Sequence, residues 1–241
     1  MSKYLEGARQ AHSKIQEIQG STTSKIRVFT EMFNDSKREI QSDRTLSAEG
    51  KDKKMDELKA KMGKQLLETL AKERDEYRQS VVKAVNESKR VLAEPLPKPH
   101  ETELALHEQK VRDISLNSVF MGARETIDSI SEYTEQIDDP YLANSLLDQL
   151  PSLSDRMSQS ATITPQDKSK LRSVYQSLKT KADTDERREA RNILSYNDGR
   201  GFDKLYGPIE ENAIQERLGS GYSRYLNDPE IKLAQLEGNN E

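Results

Sequence analysis

The residues from Ser47 to Ala93 form a long stretch without proline, and beyond Gly63 they also lack glycine. Because proline and glycine are the residues least compatible with a helix interior, the stretch predicts one continuous helix. Such a helix would be about 70 Å long, at a rise of about 1.5 Å per residue. Ser47 is a suitable N-cap, and Glu49 places a carboxylate in the first turn, where it complements the helix dipole. An amphipathic helix of this kind needs a packing partner to be stable in water.

The apolar side chains of this helix recur with a mean spacing of about 3.7 residues per turn. A two-stranded left-handed coiled coil requires a spacing of about 3.5, so the pattern favours a nearly straight or slightly right-handed pairing instead. We predict that this apolar stripe is a protein–protein interface. Its residues are Met55, Met62, Leu66, Leu70, Tyr77, Val81, Val85 and Leu92.

The composition limits the size of any core. Hydrophobic residues are 33% of the 241 residues, charged residues are also 33%, and tryptophan is absent. Globular domains usually contain about 45–50% apolar residues when glycine is counted, so a thick core is not expected. No run of useful length has the alternating pattern of a β-strand. We therefore predict an all-α, elongated protein with one long central helix and little or no β-structure.

Three prolines follow the long helix, at positions 95, 97 and 99. Each proline lacks a backbone donor and favours extended geometry in the residue before it, so the segment predicts a semi-rigid elbow. The elbow divides the chain into predicted parts: an N-terminal helical unit, the elbow itself, a second helical unit and a docking segment rich in glycine and tyrosine. These parts are residues 1–94, 95–100, 101–196 and 197–241.

The elbow also coincides with a change in the sign of the charge. Residues 1–94 contain 20 Lys and Arg against 16 Asp and Glu, a balance of +4, whereas residues 95–241 contain 18 against 26, a balance of −8. Unlike charges attract, so each half suits a different partner or the opposite half of a neighbouring copy. We expect a homo-oligomer or a subunit of a larger assembly.

Two shorter segments are expected to contain helix ends. Gly20 is expected to end a helix that begins near Lys3, so that a second helix starts at the Ser and Thr residues that follow and forms a hairpin with the first. Pro140 is expected to open a short helix, because proline is favoured at the first helical position. That helix is expected to end at Leu150, since Pro151 follows it.

The residues needed for catalysis or metal binding do not form a convincing constellation. The chain has no cysteine, and its histidines are His12, His100 and His107. His100 and His107 lie near several glutamates, but their spacing does not match a helical pair of metal ligands. Adjacent carboxylates such as Glu210 and Glu211 are typical of helix starts. We expect no enzymatic activity, no cofactor and no metal.

A lysine-rich stretch at the start of the long helix suggests an alternative function, contact with nucleic acid. The lysines that would make this contact are Lys51, Lys53, Lys54 and Lys59. Asp52 and Asp56 are interleaved with them, and no aromatic residue lies among them for base stacking. The interleaved acids favour a solvent-exposed helix face over this contact, which would then be a mild attraction to phosphate if many copies are presented together.

Aromatic residues are concentrated near the C-terminus. They have two explanations: they attach the segment to the helical body, or they form a docking patch for another subunit, since tyrosine is common at interfaces. The sequence favours neither. These residues are Tyr196, Phe202, Tyr206, Tyr222 and Tyr225.

Two segments resemble helical structural proteins encoded in the head-gene region of tailed phages of Gram-positive bacteria. They are LSAEGKDKKMDELKAKMGKQLLE, residues 46–68, and LYGPIEENAIQERL, residues 205–218. The resemblance covers about a third of the chain and implies a virion or assembly component: a minor head protein, an internal protein or a scaffold. Scaffolds of this kind usually end in a basic coat-binding helix, whereas this chain ends in the acidic DPEIKLAQLEGNNE.

The location and function follow from these patterns as expectations. The first twenty residues lack the apolar core of a signal peptide, and no stretch approaches the length of a membrane span. We expect a protein that is cytoplasmic during assembly, is present in the virion if the resemblance holds, and does not contact membranes. Its expected function is that of a non-enzymatic structural or assembly protein acting through helical protein–protein contacts.

Overall fold

The computed structural model describes residues 2–160 and 163–238, with the side chain of Ser160 excepted. The protein is all-α, as predicted, and no residue in these ranges lies in a β-strand. A short 3₁₀ helix spans Arg200–Phe202. The α-helices are α1 (Lys3–Ser42), α2 (Ala48–Ala93), α3 (Glu101–Phe120), α4 (Ala123–Gln136), α5 (Pro140–Ser160), α6 (Pro165–Ala182), α7 (Asp185–Asn197), α8 (Pro208–Leu218), α9 (Ser220–Ser223) and α10 (Pro229–Gly238).

The chain divides into two compact units. The first unit consists of Met1–Arg90 together with Ala190–Glu241, and the second unit consists of Val91–Glu189. The division falls inside α2 and inside α7. The C-terminal segment, defined here as residues 198–238, therefore belongs to the same unit as most of the two long helices.

The long helix predicted from Ser47 to Ala93 is confirmed as α2, which is 46 residues long. Ser47 caps it as expected, because the Ser47 hydroxyl accepts a hydrogen bond from the Gly50 N–H at 3.1 Å. Asp43 shapes the short link from α1, since its carboxylate accepts from the backbone N–H of Thr45 at 2.8 Å. The Ser47 side chain therefore satisfies a backbone donor that the first turn of α2 leaves without a partner, and Asp43 satisfies one in the link.

The predicted break at Gly20 is wrong, because α1 runs without interruption from Lys3 to Ser42. The hydroxyls of Ser21 and Ser24 donate to the helix's own carbonyls, those of Ile18 and Ser21, at 3.0 and 2.8 Å, and so do not act as N-caps. The buried face of α1 also continues past the glycine through Ile26. This packing outweighs the cost of about 1 kcal/mol that glycine imposes on a helix interior.

Apolar side chains of α1 and α2 form two clusters in the first unit, and residues 193–226 contribute to both. One cluster gathers Ala8, Ala11, Ile15, Ile18, Tyr77, Val81, Ala84 and Ile193. The other gathers Ile26, Phe33, Met62, Leu66, Leu70, Tyr206, Ile214, Leu218 and Leu226. The partner that the apolar stripe of α2 needs is therefore found within the same chain.

The second unit has its own core, formed by residues of α3 to α6. The expected end of α5 at Leu150 is wrong, because the helix continues through Pro151 to Ser160. Leu150, Leu153 and Met157 are buried on one face of α5, and this burial offsets the backbone hydrogen bond that proline removes. The principal core residues are Val111, Ile114, Ile127, Ile130, Leu146, Leu153, Met157, Val174 and Leu178.

Candidate functional site

The apolar stripe predicted as an interface lies mostly inside the first unit. Met62, Leu66, Leu70, Tyr77 and Val81 are buried there against α1 and residues 193–226. Met55 and Val85 are partly buried beside the same clusters, whereas Leu92 is partly buried in the second unit. The surfaces that remain open to another molecule are therefore formed largely by other residues.

A buried polar contact anchors the C-terminal segment to α1 and α2. The Tyr206 ring is only 1% exposed, and its hydroxyl donates to Glu73 Oε2 at 2.8 Å. The ammonium group of Lys25 on α1 donates to the other oxygen of the same carboxylate. Burial, and then the hydrogen bond to Glu73 and its charge, raise the pKa of Tyr206 far above its ordinary value. The tyrosine therefore stays neutral and serves as a donor.

Asn227 fixes the chain around Tyr206. Its side-chain oxygen accepts from the backbone N–H groups of Leu205 and Tyr206 at 2.8 and 3.0 Å. Its side-chain nitrogen donates to the Tyr206 carbonyl at 2.9 Å. Because Asn227 and Tyr206 are buried, the two bonds to Tyr206 satisfy backbone groups that are shielded from water, and the bond to Leu205 satisfies one that is partly shielded.

Arg74 and Glu210 provide further attachment points. The guanidinium of Arg74 donates to the Asp203 carbonyl at 3.3 Å and lies 3.7 Å from the Asp228 carboxylate. Glu210 accepts from the Thr23 hydroxyl of α1 at 2.6 Å. Burial alone would raise the pKa of Glu210, but its hydrogen bonds outweigh burial, so the pKa is lowered and the carboxylate stays ionised.

The aromatic residues of the C-terminal region differ in role. Tyr206 is buried as described, and the ring of Tyr222 packs against α2 at Gly63. The ring of Tyr196 meets His12 edge-on at 5.0 Å between centroids, and Arg200 lies 4.1 Å above it. Tyr225 is partly buried, with the Lys232 ammonium 5.9 Å from the ring centroid, whereas Phe202 is 87% exposed. Tyr206 and Tyr222 therefore attach the C-terminal segment to the helical body. Among the five aromatic residues, only Phe202 is almost fully exposed to solvent.

The three histidines have structural partners. His12 Nδ1 lies 3.1 Å from the side-chain nitrogen of Asn197, and His100 caps α3 by accepting from the Thr102 N–H at 3.3 Å. His107 is buried, with Nδ1 2.7 Å from the Tyr133 hydroxyl. Within residues 2–160 and 163–238, no group of three or more histidines or carboxylates could hold a metal ion.

Acidification is expected to weaken the second unit through His107. Burial lowers the pKa of His107 more than the charges of Glu108 and Asp139 raise it, so the folded state resists protonation. The stability that neutral His107 provides is complete above its unfolded pKa of about 6.5 and is lost as the pH falls below that value. Urea midpoints at pH 7.5 and 5.5 should therefore differ more for the wild type than for His107→Gln; equal differences would contradict the assignment.

The lysines predicted to contact nucleic acid separate into two pairs. Lys51 donates to the Gln41 carbonyl at the end of α1, at 2.7 Å, and the Lys59 ammonium lies 3.8 Å from Asp56. Both also line a pocket of the first unit. Lys53 and Lys54 are exposed and lie outside that pocket.

An apolar groove opens between α1 and α2 in the first unit. Its volume is about 380 Å³, and no residue of the described C-terminal segment lines it. Val28 and Met32 stand at its edge, 49% and 58% exposed. The groove is lined by Ser24, Lys25, Ile26, Val28, Phe29 and Met32 of α1 and by Met62, Gln65, Leu66, Thr69, Leu70 and Glu73 of α2.

The second unit also presents an apolar surface to solvent, here called the α3 tip. It consists of Leu116, Val119, Phe120 and Met121, all exposed, with Phe120 82% exposed. Because an exposed group of large apolar side chains is costly in water, such a surface is typical of an interaction site.

No described helix is long and apolar enough to cross a membrane. A scan of protein-family models, a search of curated proteins and a search of solved structures found no match to the chain. The fold therefore places the protein among all-α proteins.

Proposed function

We propose that the protein is a non-enzymatic structural or assembly protein that associates with further copies of itself through helical contacts. The observation that carries this proposal is the α1–α2 groove, in which Val28 and Met32 remain exposed beside a buried core. Filling the groove with apolar side chains would remove these residues from water, at a gain of about 25 cal/mol per Å² of apolar surface.

The charges of the two units favour a particular occupant, the α3 tip of a neighbouring copy. The first unit contains 26 Lys and Arg against 24 Asp and Glu, a balance of +2, and the second unit contains 12 against 18, a balance of −6. Unlike net charges speed the encounter of a first unit with a second unit, and the like charges of two second units disfavour their pairing. A contact between two different surfaces is heterologous, so it builds rings or open chains of copies wherever the groove and the tip of one copy do not both pair with the same neighbour.

Replacing Met32 by glutamate is expected to weaken self-association by about tenfold or more, which corresponds to about 1.4 kcal/mol. The carboxylate would have to be desolvated when the groove is filled. Sedimentation velocity over a range of protein concentrations measures the effect. Val82→Glu is the matched control, because Val82 is also 58% exposed on a helix but does not line the groove. A wild-type chain that stays monomeric at every concentration would contradict the proposal.

We extend the proposal with the resemblance of residues 46–68 and 205–218 to head-region proteins of tailed phages. On that basis the assembly is a phage virion or a head precursor, and the protein is a minor head, internal or scaffold-like component. The neighbouring genes provide the test. Portal, protease and coat genes beside this gene would support the extension, and a neighbourhood of metabolic genes would contradict it.

A further inference from the structure

A second pocket of the first unit lies where the end of α1, the start of α2 and the end of α8 meet. Its volume is about 410 Å³, within the range of about 300–1,000 Å³ that is usual for ligand sites. It shares no residue with the α1–α2 groove. The pocket is lined by Phe33, Asn34, Lys37, Ile40, Gln41, Lys51, Asp52, Met55, Lys59, Gln215, Glu216, Arg217, Leu218 and Gly219.

Cations predominate on the walls of this pocket. Four of its side chains are cationic and two are anionic, which gives a net charge of +2. The cations come from three helices: Lys37 from α1, Lys51 and Lys59 from α2, and Arg217 from α8. Side chains so far apart in the sequence converge only through the fold, which distinguishes the pocket from a run of lysines on one helix face.

Several of these cations retain free donors. Lys37 forms no hydrogen bond or ion pair within the described residues, and Lys51 uses one of its three N–H groups on the Gln41 carbonyl. The Lys59 ammonium is only loosely paired, at 3.8 Å from Asp56. Arg217 Nη1 bonds to Ala213 and Glu216 at 2.9 Å, but its buried Nε has no partner among the described residues.

We propose that this pocket binds a phosphate-bearing ligand, either a free nucleotide or the backbone of a nucleic acid. A phosphate chain presents several charged oxygens at once, so it can accept from cations on different walls, whereas one carboxylate neutralises a single cation. The first turn of α2 adds the partial positive charge of a helix N-terminus beside Lys51. Partly buried Ile40 and Met55 provide an apolar surface for the organic part of the ligand.

Paired substitutions in the full-length chain test the site. Lys37→Gln with Lys59→Gln removes two cations from the pocket, and Lys53→Gln with Lys54→Gln removes two cations from α2 outside the pocket. Both variants lower the net charge equally. Binding is measured at low salt by titration calorimetry with three probes: pyrophosphate, ATP and a single-stranded thymidine oligonucleotide. The affinity should fall by about tenfold or more for the first variant and by less than about twofold for the second.

The outcomes divide clearly. Equal losses in the two variants would overturn the proposal, because they would mean that the overall charge of the first unit attracts the probes. Absence of binding for all three probes would overturn it too. Binding of pyrophosphate and ATP without the oligonucleotide would assign the site to a small phosphate compound, and binding of the oligonucleotide alone would assign it to nucleic acid. Circular dichroism on each variant establishes that it is folded.

Discussion

Replacing Tyr206 by alanine is expected to lower the free energy of unfolding by about 3–5 kcal/mol, the usual cost of removing a large buried aromatic side chain. Tyr206 packs in the cluster that joins α1, α2 and the C-terminal segment. The substitution would also leave the Glu73 carboxylate with only Lys25 as a side-chain partner. Urea unfolding followed by circular dichroism measures the change, and limited proteolysis is expected to cut the C-terminal segment first.

Two further variants separate the causes of this loss. Tyr206→Phe keeps the ring but removes the hydroxyl, and should cost about 1–3 kcal/mol because Glu73 remains buried without that donor. Phe202→Ala removes an exposed aromatic from the same segment and should change stability by no more than about 0.5 kcal/mol. Equal effects of Tyr206→Ala and Phe202→Ala would mean that Tyr206 is not the anchor.

Replacing Gly63 by alanine is expected to destabilise the protein by about 1–3 kcal/mol, as overpacking of a core usually does. A Cβ atom at this position would lie 2.4 Å from the Tyr222 ring, so the ring has to move away from α2. Displacement of Tyr222 should loosen α9 and expose the nearby chain to protease. The urea midpoint and the rate of tryptic cleavage at Arg224 measure the two effects.

Gly20→Ala is the matched control for this substitution. Gly20 also lies inside a long helix, but a Cβ atom there would meet nothing within 4 Å. Alanine is favoured over glycine in a helix interior by about 1 kcal/mol, so this variant should be more stable than the wild type. Stabilisation by both substitutions would show that Tyr222 does not pack closely against α2.

The long helix was predictable because its signals are local. The absence of proline, the Ser47 cap and the apolar spacing all depend on residues close together in the sequence. The same local reasoning failed at Gly20 and Pro151, where packing with distant residues outweighs the propensity of one position. Local signals identify a helix more reliably than they locate its ends.

The attachment of the C-terminal segment could not be predicted from the sequence. Tyr206 meets Glu73, and Thr23 meets Glu210, across more than a hundred residues of chain. No spacing rule connects such positions. The prediction that Tyr206 attaches the segment was one of two open explanations, and burial of its ring decides between them for this residue.

The open surfaces were also only partly predictable. Lys51 and Lys59 were identified as candidates, but Lys37 and Arg217 lie on other helices and were missed. A signal for the groove was present in α1, where Val28 and Met32 widen an apolar face already marked by Ile26, Phe29 and Phe33. A face wider than one stripe indicates more than one packing surface.

The most direct test is whether the α1–α2 groove of one copy binds the α3 tip of another. It uses sedimentation velocity on an equimolar mixture of Met32→Glu and Phe120→Glu chains. The first variant has a damaged groove and an intact α3 tip, and the second has the reverse. At a concentration at which the wild type associates but a tenfold weaker contact does not form, each variant alone should sediment as a monomer. The mixture should contain a dimer and nothing larger, because one intact groove then meets one intact tip. A mixture that stays monomeric under conditions in which the wild type associates would contradict this mode of assembly.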